Sequence, residues 1–127
     1  MQPLDWAGAY LPAVRGKVLP IFFLGWAPDY ADPDNYVNPF IHQNGTYAKR
    51  CGIINQTITD KVEEAAFELN ETLRIQLYEE ISMEVYENAF YVWTVQATNF
   101  HVEKAWVSGY YFNPMYSGLY YYALSKG

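Results

Sequence analysis

Apolar positions along the chain fall into three kinds of pattern. In residues 5–14, Trp6, Ala9, Tyr10, Ala13 and Val14 recur at spacings of three and four, which predicts a short amphipathic helix. Asp5 is positioned to cap it and Gly16 to end it. A stronger helical signal begins after Asn55. Ile58, Val62, Ala65, Ala66 and Leu69 share one face, and Leu73, Leu77, Ile81 and Val85 follow at intervals of four. Asn70 between the two stripes predicts a second N-cap, hence two helices in tandem. Both stripes are the kind that pack a core. The second pattern is the continuous apolar run VLPIFFL at 18–24, of strand length and consistent with a strand buried on both faces. YVWTV at 91–95 is β-branched and aromatic and predicts another strand, with a further one at 101–106. The third pattern is punctuation. Residues 38–55 (NPFIHQNGTYAKRCGIIN) are rich in Asn, Gly and Pro and read as loop. The elements together predict a mixed α/β (α+β) chain of single-domain size.

Composition changes this picture at two points. Only 17% of the 127 residues are charged while 19% are aromatic, including 13 tyrosines and 4 tryptophans. The tail GYYFNPMYSGLYYYALSKG holds more aromatic surface than two helices and a few strands can cover, which marks a partner surface or a missing neighbour. The net charge of −6, with Lys49-Arg50 as the only basic pair, argues against a nucleic-acid partner. No apolar run approaches the ~20 residues that span a bilayer. The opening MQPLDWAGAY lacks the basic and apolar regions of a signal peptide. Cys51 stands alone and reads as a small filler within a loop. Three N-x-[ST] patterns, at Asn44, Asn55 and Asn70, match glycosylation acceptors, but at Asn55 and Asn70 helix capping is the preferred reading.

Candidate chemistry concentrates in GWAPDYADPDN at 25–35, where Asp29, Asp32 and Asp34 stand beside Trp26 and Tyr30. Pro28 and Pro33 exclude a regular helix across it. The stretch follows the 18–24 strand directly, a common location for ligand loops. An EF-hand reading fails, because counting from Asp32 the sixth place is Val37 and the twelfth Gln43, where Gly and Glu are required. No second acid is marked as sitting in an apolar pocket for glycosidase-type chemistry. His42 and His101 have no partner at metal-ligand spacing, and no Ser or Cys has a nucleophile context. No enzyme, no metal and no cofactor are expected.

The order GWAPDYADPDNY, then LNETLRIQLYEEI, then YVWTV, then VSGYYFNPM resembles the C-terminal part of family 5 extracytoplasmic solute-binding proteins, the oligopeptide and dipeptide receptors of ABC importers. The match covers essentially the whole chain, which corresponds to roughly the last quarter of such a receptor. Arg74 and Leu77-Tyr78 add to it, whereas Phe90 stands where the family commonly has Pro. The resemblance implies a portion of a type II periplasmic-binding-protein-like fold that closes on its solute as a hinged trap. Residues 1–91 would form part of the C-terminal lobe. Residues 92–127 would supply the crossing strand and a tail that packs on the N-terminal lobe, a lobe this chain does not contain.

By the same resemblance Asp29 would anchor the α-ammonium of a bound peptide. A fixed carboxylate would offset the cost of desolvating that cation, with Trp26 as an aromatic wall and Tyr30 supplying a hydroxyl. Asp32 is a candidate ligand contact, although Asp32 and Asp34 read first as turn-makers. The implied partners are a peptide solute and an ABC permease, and the implied location is extracytoplasmic. An oligosaccharide ligand stacked on Trp26 is the alternative, and a non-binding structural fragment is the third reading. Uncovered tyrosines, each worth roughly 2 kcal/mol when buried, lead us to expect a homo-oligomer formed through the tail.

Overall fold

The computed structural model describes residues 3–98, 100–116 and 118–127; Met1 and Gln2 of the opening segment, Asn99 and Ser117 lie outside the described residues. The architecture is mixed α and β, with five α-helices and a two-stranded sheet among the described residues.

The amphipathic start forms a π-helical turn, Trp6–Tyr10, running into helix α1, Leu11–Arg15. The Asp5 side chain accepts from the Gly8 amide at 2.6 Å, and Gly16 closes the C-terminus. The strongest periodic segment becomes α4, Gln56–Phe67, and α5, Glu71–Glu87. Asn55 Oδ1 accepts from the Ile58 amide, and Asn70 Oδ1 from those of Thr72 and Leu73. Both asparagines are therefore N-caps, satisfying amides that would otherwise lack a partner.

The α4–α5 hairpin carries the core. Ile58, Val62 and Ala65 of α4 pack with Tyr78, Ile81 and Val85 of α5, and Ile41 closes the cluster. Each large apolar side chain buried there contributes roughly 1.5–3 kcal/mol. Lys61 of α4 bridges Glu80 and Glu84 of α5 across the hairpin. Not all of the anticipated face is inward. Leu69 is 97% exposed because it lies in the three-residue connection rather than on a helix, and Leu73 is 48% exposed. Tyr78 takes the inward place instead, set three residues before Ile81.

Five sequence expectations are corrected. Residues 38–55 are not loop: they hold the end of α2, Asp34–Ile41, and all of α3, Thr46–Cys51. The punctuating residues serve helix boundaries and close packing there. Gly52 ends α3 at φ 73°, a left-handed cap that suits glycine. Gly45 lies so close to α2 that a Cβ would stand 2.2 Å from the Asn38 carbonyl oxygen. Cys51 ends α3 and is exposed, not a small filler within a loop.

The strands expected at 18–24 and 91–95 are not formed either. Both segments lack a strand partner, and extended backbone needs a neighbour to satisfy its amides and carbonyls. In 21–28 exposed and half-buried residues alternate strictly, the side-chain period of a strand without its ladder. One surrogate exists at Phe23, whose amide donates to the Tyr10 hydroxyl at 2.8 Å while that hydroxyl donates to the Phe23 carbonyl at 2.7 Å. Nor is 101–106 a strand. Pairing occurs just beyond it, β1 (Val107–Ser108) running antiparallel to β2 (Ser125–Lys126) with Val107 opposite Lys126.

Candidate functional site

Buried Asn35, in the first turn of α2, organises the acidic stretch. Its Oδ1 accepts from the Trp26 indole N–H at 3.2 Å and from the Asp29 backbone amide at 2.9 Å. One amide side chain therefore ties both ends of GWAPD to the helix that follows. Asp32 Oδ1 accepts from the Asp34 amide at 2.8 Å and from Arg74 Nη2 at 2.7 Å. It thus holds the turn into α2 and joins that turn to α5. Arg74 is itself fixed, donating from Nε to the Ala65 carbonyl at 2.9 Å and from Nη2 to the Tyr78 hydroxyl at 3.1 Å. The hydrogen bond from Arg74 holds the Asp32 carboxyl below the usual carboxylate range against the opposing effect of burial.

Tyr30 is exposed, and its hydroxyl donates to Asp34 Oδ2 at 2.7 Å. That bond to a carboxylate is the main reason its phenol is pushed above the ordinary tyrosine value. Asp34 opens α2, where the helix N-terminus favours negative charge.

The four candidate residues thus have different surroundings. Asp32 is occupied by Arg74 and the turn, and Tyr30 by Asp34. Trp26 is half-buried, meeting Phe40 and Tyr47 edge-on with ring centroids 5.8 and 5.5 Å away. It anchors the stretch to a cluster in which Phe40 stacks on Tyr47 at 4.6 Å and Tyr91 donates its hydroxyl to the Phe40 carbonyl. Burial is the largest cause of the strong upward shift of the Tyr91 phenol. Asp29 alone has a fixed backbone and an exposed carboxylate that enters none of the ion pairs among the described residues. Such a group can receive a cation or hydroxyl from outside the chain. Among the described residues no group of three or more His, Cys, Asp or Glu is placed to hold a metal ion.

Asn35 and Arg74 are the organising residues that the pattern of acids does not reveal. Arg74 carries a signal nonetheless, as the only cation in a helix with five glutamates. Asn35 carries none beyond its place at the end of a turn-forming DPDN.

Over 120 residues the chain is 26% identical to Di/tripeptide-binding protein 4 of Pseudomonas aeruginosa (strain UCBPP-PA14). The similarity is distant and partial. It takes in 91% of this chain but 22% of that protein, so the chain spans about a fifth of its relative's length. No family model matches the chain, and no solved structure does. Among the described residues no helix is long and apolar enough to cross a membrane.

Proposed function

We propose that the chain supplies part of a peptide-binding surface of an extracytoplasmic solute receptor, with Asp29 as the anchor for the peptide's α-ammonium. The observation that carries this reading is the contrast within the stretch: Asn35 fixes the Asp29 backbone while its carboxylate stays exposed. Arg74 pairs with Asp32, and Asp29 enters none of the ion pairs among the described residues. A charge-assisted bond from an ammonium contributes roughly 1.5–3 kcal/mol, which alone corresponds to contact at millimolar concentration or weaker. Tight capture would require a second surface closing over the peptide, with delivery to an ABC permease as the sequel. On this reading residues 1–91 belong to one lobe, and residues 92–127 cross from it to cover another. The distant similarity to a di/tripeptide-binding protein supports the solute class.

Stacking of a sugar on Trp26 is less well supported, since the ring already packs against Phe40 and Tyr47. The test is a titration of the isotopically labelled chain with millimolar trialanine and N-acetyl-trialanine, followed by amide NMR. Shifts should centre on 25–35, and they should shrink several-fold on N-acetylation or in Asp29→Asn. Equal shifts from the two peptides would remove the ammonium anchor, and larger shifts from cellotriose would favour the sugar.

A further inference from the structure

Three Asn-x-Thr triplets stand at the N-terminal boundaries of consecutive helices, and one of them differs from the other two. Asn55 and Asn70 are the N-caps of α4 and α5. Asn55 is half-buried, its Oδ1 accepts from the Ile58 amide at 3.1 Å, and its carbonyl accepts from the Thr59 amide. Asn70 is exposed but tied on every side. Its Oδ1 accepts from the Thr72 and Leu73 amides, its own amide donates to Glu68 Oε1 at 2.6 Å, and its carbonyl accepts from the Arg74 amide. In both triplets the second and third residues, Gln56-Thr57 and Glu71-Thr72, lie in the first helical turn. Asn44 instead stands outside its helix. Gly45 is the N-cap of α3, extended at φ −64° and ψ 152°, and of the triplet only Thr46 is helical. Asn44 and Thr46 are both exposed. The Asn44 backbone amide donates to His42 Nδ1 at 3.1 Å, while among the described residues its side-chain amide has no hydrogen bond. Gly45 holds the turn: its amide donates to the His42 carbonyl at 2.6 Å, and the Asn38 and Pro39 carbonyls leave no room there for a side chain.

We propose that Asn44 is the site at which the folded protein accepts an N-linked glycan. The donor is a lipid-linked oligosaccharide phosphate. Transfer breaks the bond between its anomeric carbon and the phosphate oxygen and forms one from that carbon to Asn44 Nδ2. One amide proton passes to a base of the transferase, and the lipid phosphate leaves. A transferase must reach the amide nitrogen and the Thr hydroxyl together, on accessible backbone. At Asn44 it can do so without disturbing a helix cap. At Asn55 and Asn70 it would first have to withdraw Oδ1 from the helix N-terminus and open the first turn, leaving amides without partners. Occupancy in the cell rests on the extracytoplasmic location proposed above; the choice of Asn44 among the three triplets does not, and it is independent of solute binding at Asp29.

The test incubates the folded chain with a lipid-linked oligosaccharide and a single-subunit oligosaccharyltransferase that modifies a synthetic 40–48 peptide, and reads each site by peptide mass spectrometry. Peptides spanning 51–59 and 66–74 give the rates of the other two sites without a fold. Relative to its own peptide, Asn44 in the folded chain should be modified at least tenfold faster than Asn55 or Asn70. Thr46→Ala should abolish the modification and Thr46→Ser should retain part of it, both with unchanged helical circular dichroism. No modification at Asn44 of the folded chain, the same folded-to-peptide ratio at all three sites, or modification that survives Thr46→Ala would overturn the proposal. Because donor and transferase are supplied, the assay is blind to cellular location and to Asp29, so its failure and a failure of the peptide titration are separate results.

Discussion

The α4–α5 hairpin and the segment that follows it are both rich in large apolar side chains, yet they use them differently. In the hairpin, Ile58, Val62, Ile81 and Val85 are at most 3% exposed. In the segment, Val92, Val95, Phe100 and Val102 are 82–88% exposed. The difference lies in backbone geometry rather than hydrophobicity. A helix satisfies its own amides and carbonyls, so two helices joined by three residues can bring their apolar faces together without further help. An extended segment needs a neighbouring strand on each edge as well as cover for its faces. Among the described residues 92–98 has neither, and 18–24 has the Tyr10 hydroxyl at Phe23 and the Ala13 carbonyl at the Val18 amide in place of a strand. The helical unit buries its own apolar faces, whereas the segments at 18–24 and 92–98 and the tail leave many of theirs exposed.

Truncation should separate the two regions most sharply. Ile81→Ala removes a side chain 1% exposed and should cost about 2–5 kcal/mol in urea unfolding. Val95→Ala should change the same midpoint by less than ~0.5 kcal/mol. Similar losses at the two sites would mean that the extended segment carries stability of its own.

How far these regions could be read in the sequence follows from the same contrast. The two long helices and their asparagine caps were legible because spacing and capping are local properties, and the N-terminal turn capped by Asp5 was legible for the same reason. The strand readings at 18–24 and 91–95 rested on apolar, β-branched and aromatic runs, yet no strand forms at either. A ladder, however, depends on which segment lies alongside, and no local pattern encodes that. Residues 38–55 failed in the opposite direction. Gly45 and Gly52 looked like loop signals, but one permits a close helix approach and the other caps α3. At the candidate site, the cluster of acids was visible while its differentiation was not. The Arg74–Asp32 pair joins residues far apart in sequence, and it is this pair that sets Asp32 apart from Asp29.

That pair gives the next test. Arg74→Met should destabilise the helical unit by about 1–2 kcal/mol, through loss of a charge-assisted bond between partly buried groups and of the bond to the Ala65 carbonyl. It should also alter the pH dependence. Because the folded-state pKa of Asp32 is depressed, its contribution is present above the ordinary aspartate value of ~3.9 and lost as pH falls through the lower folded value. Wild type should therefore lose this increment below about pH 4, while Arg74→Met should show a flatter acid limb in urea midpoints measured across that range. An unchanged acid slope would dissociate the pair from stability. A smaller effect is expected at the cap: Asn70→Ala should cost about 1 kcal/mol, recovered in large part by Asn70→Asp.

Native-state hydrogen exchange on the chain, diluted until it sediments as a monomer, tests the central contrast most directly. Amides of α4 and α5 should be protected to nearly the full unfolding free energy, while those of 18–24 and 92–98 should exchange at close to free-peptide rates. Protection of 92–98 equal to that of α5 in the monomer would contradict the account, because it would show that the extended segment has a partner within its own chain.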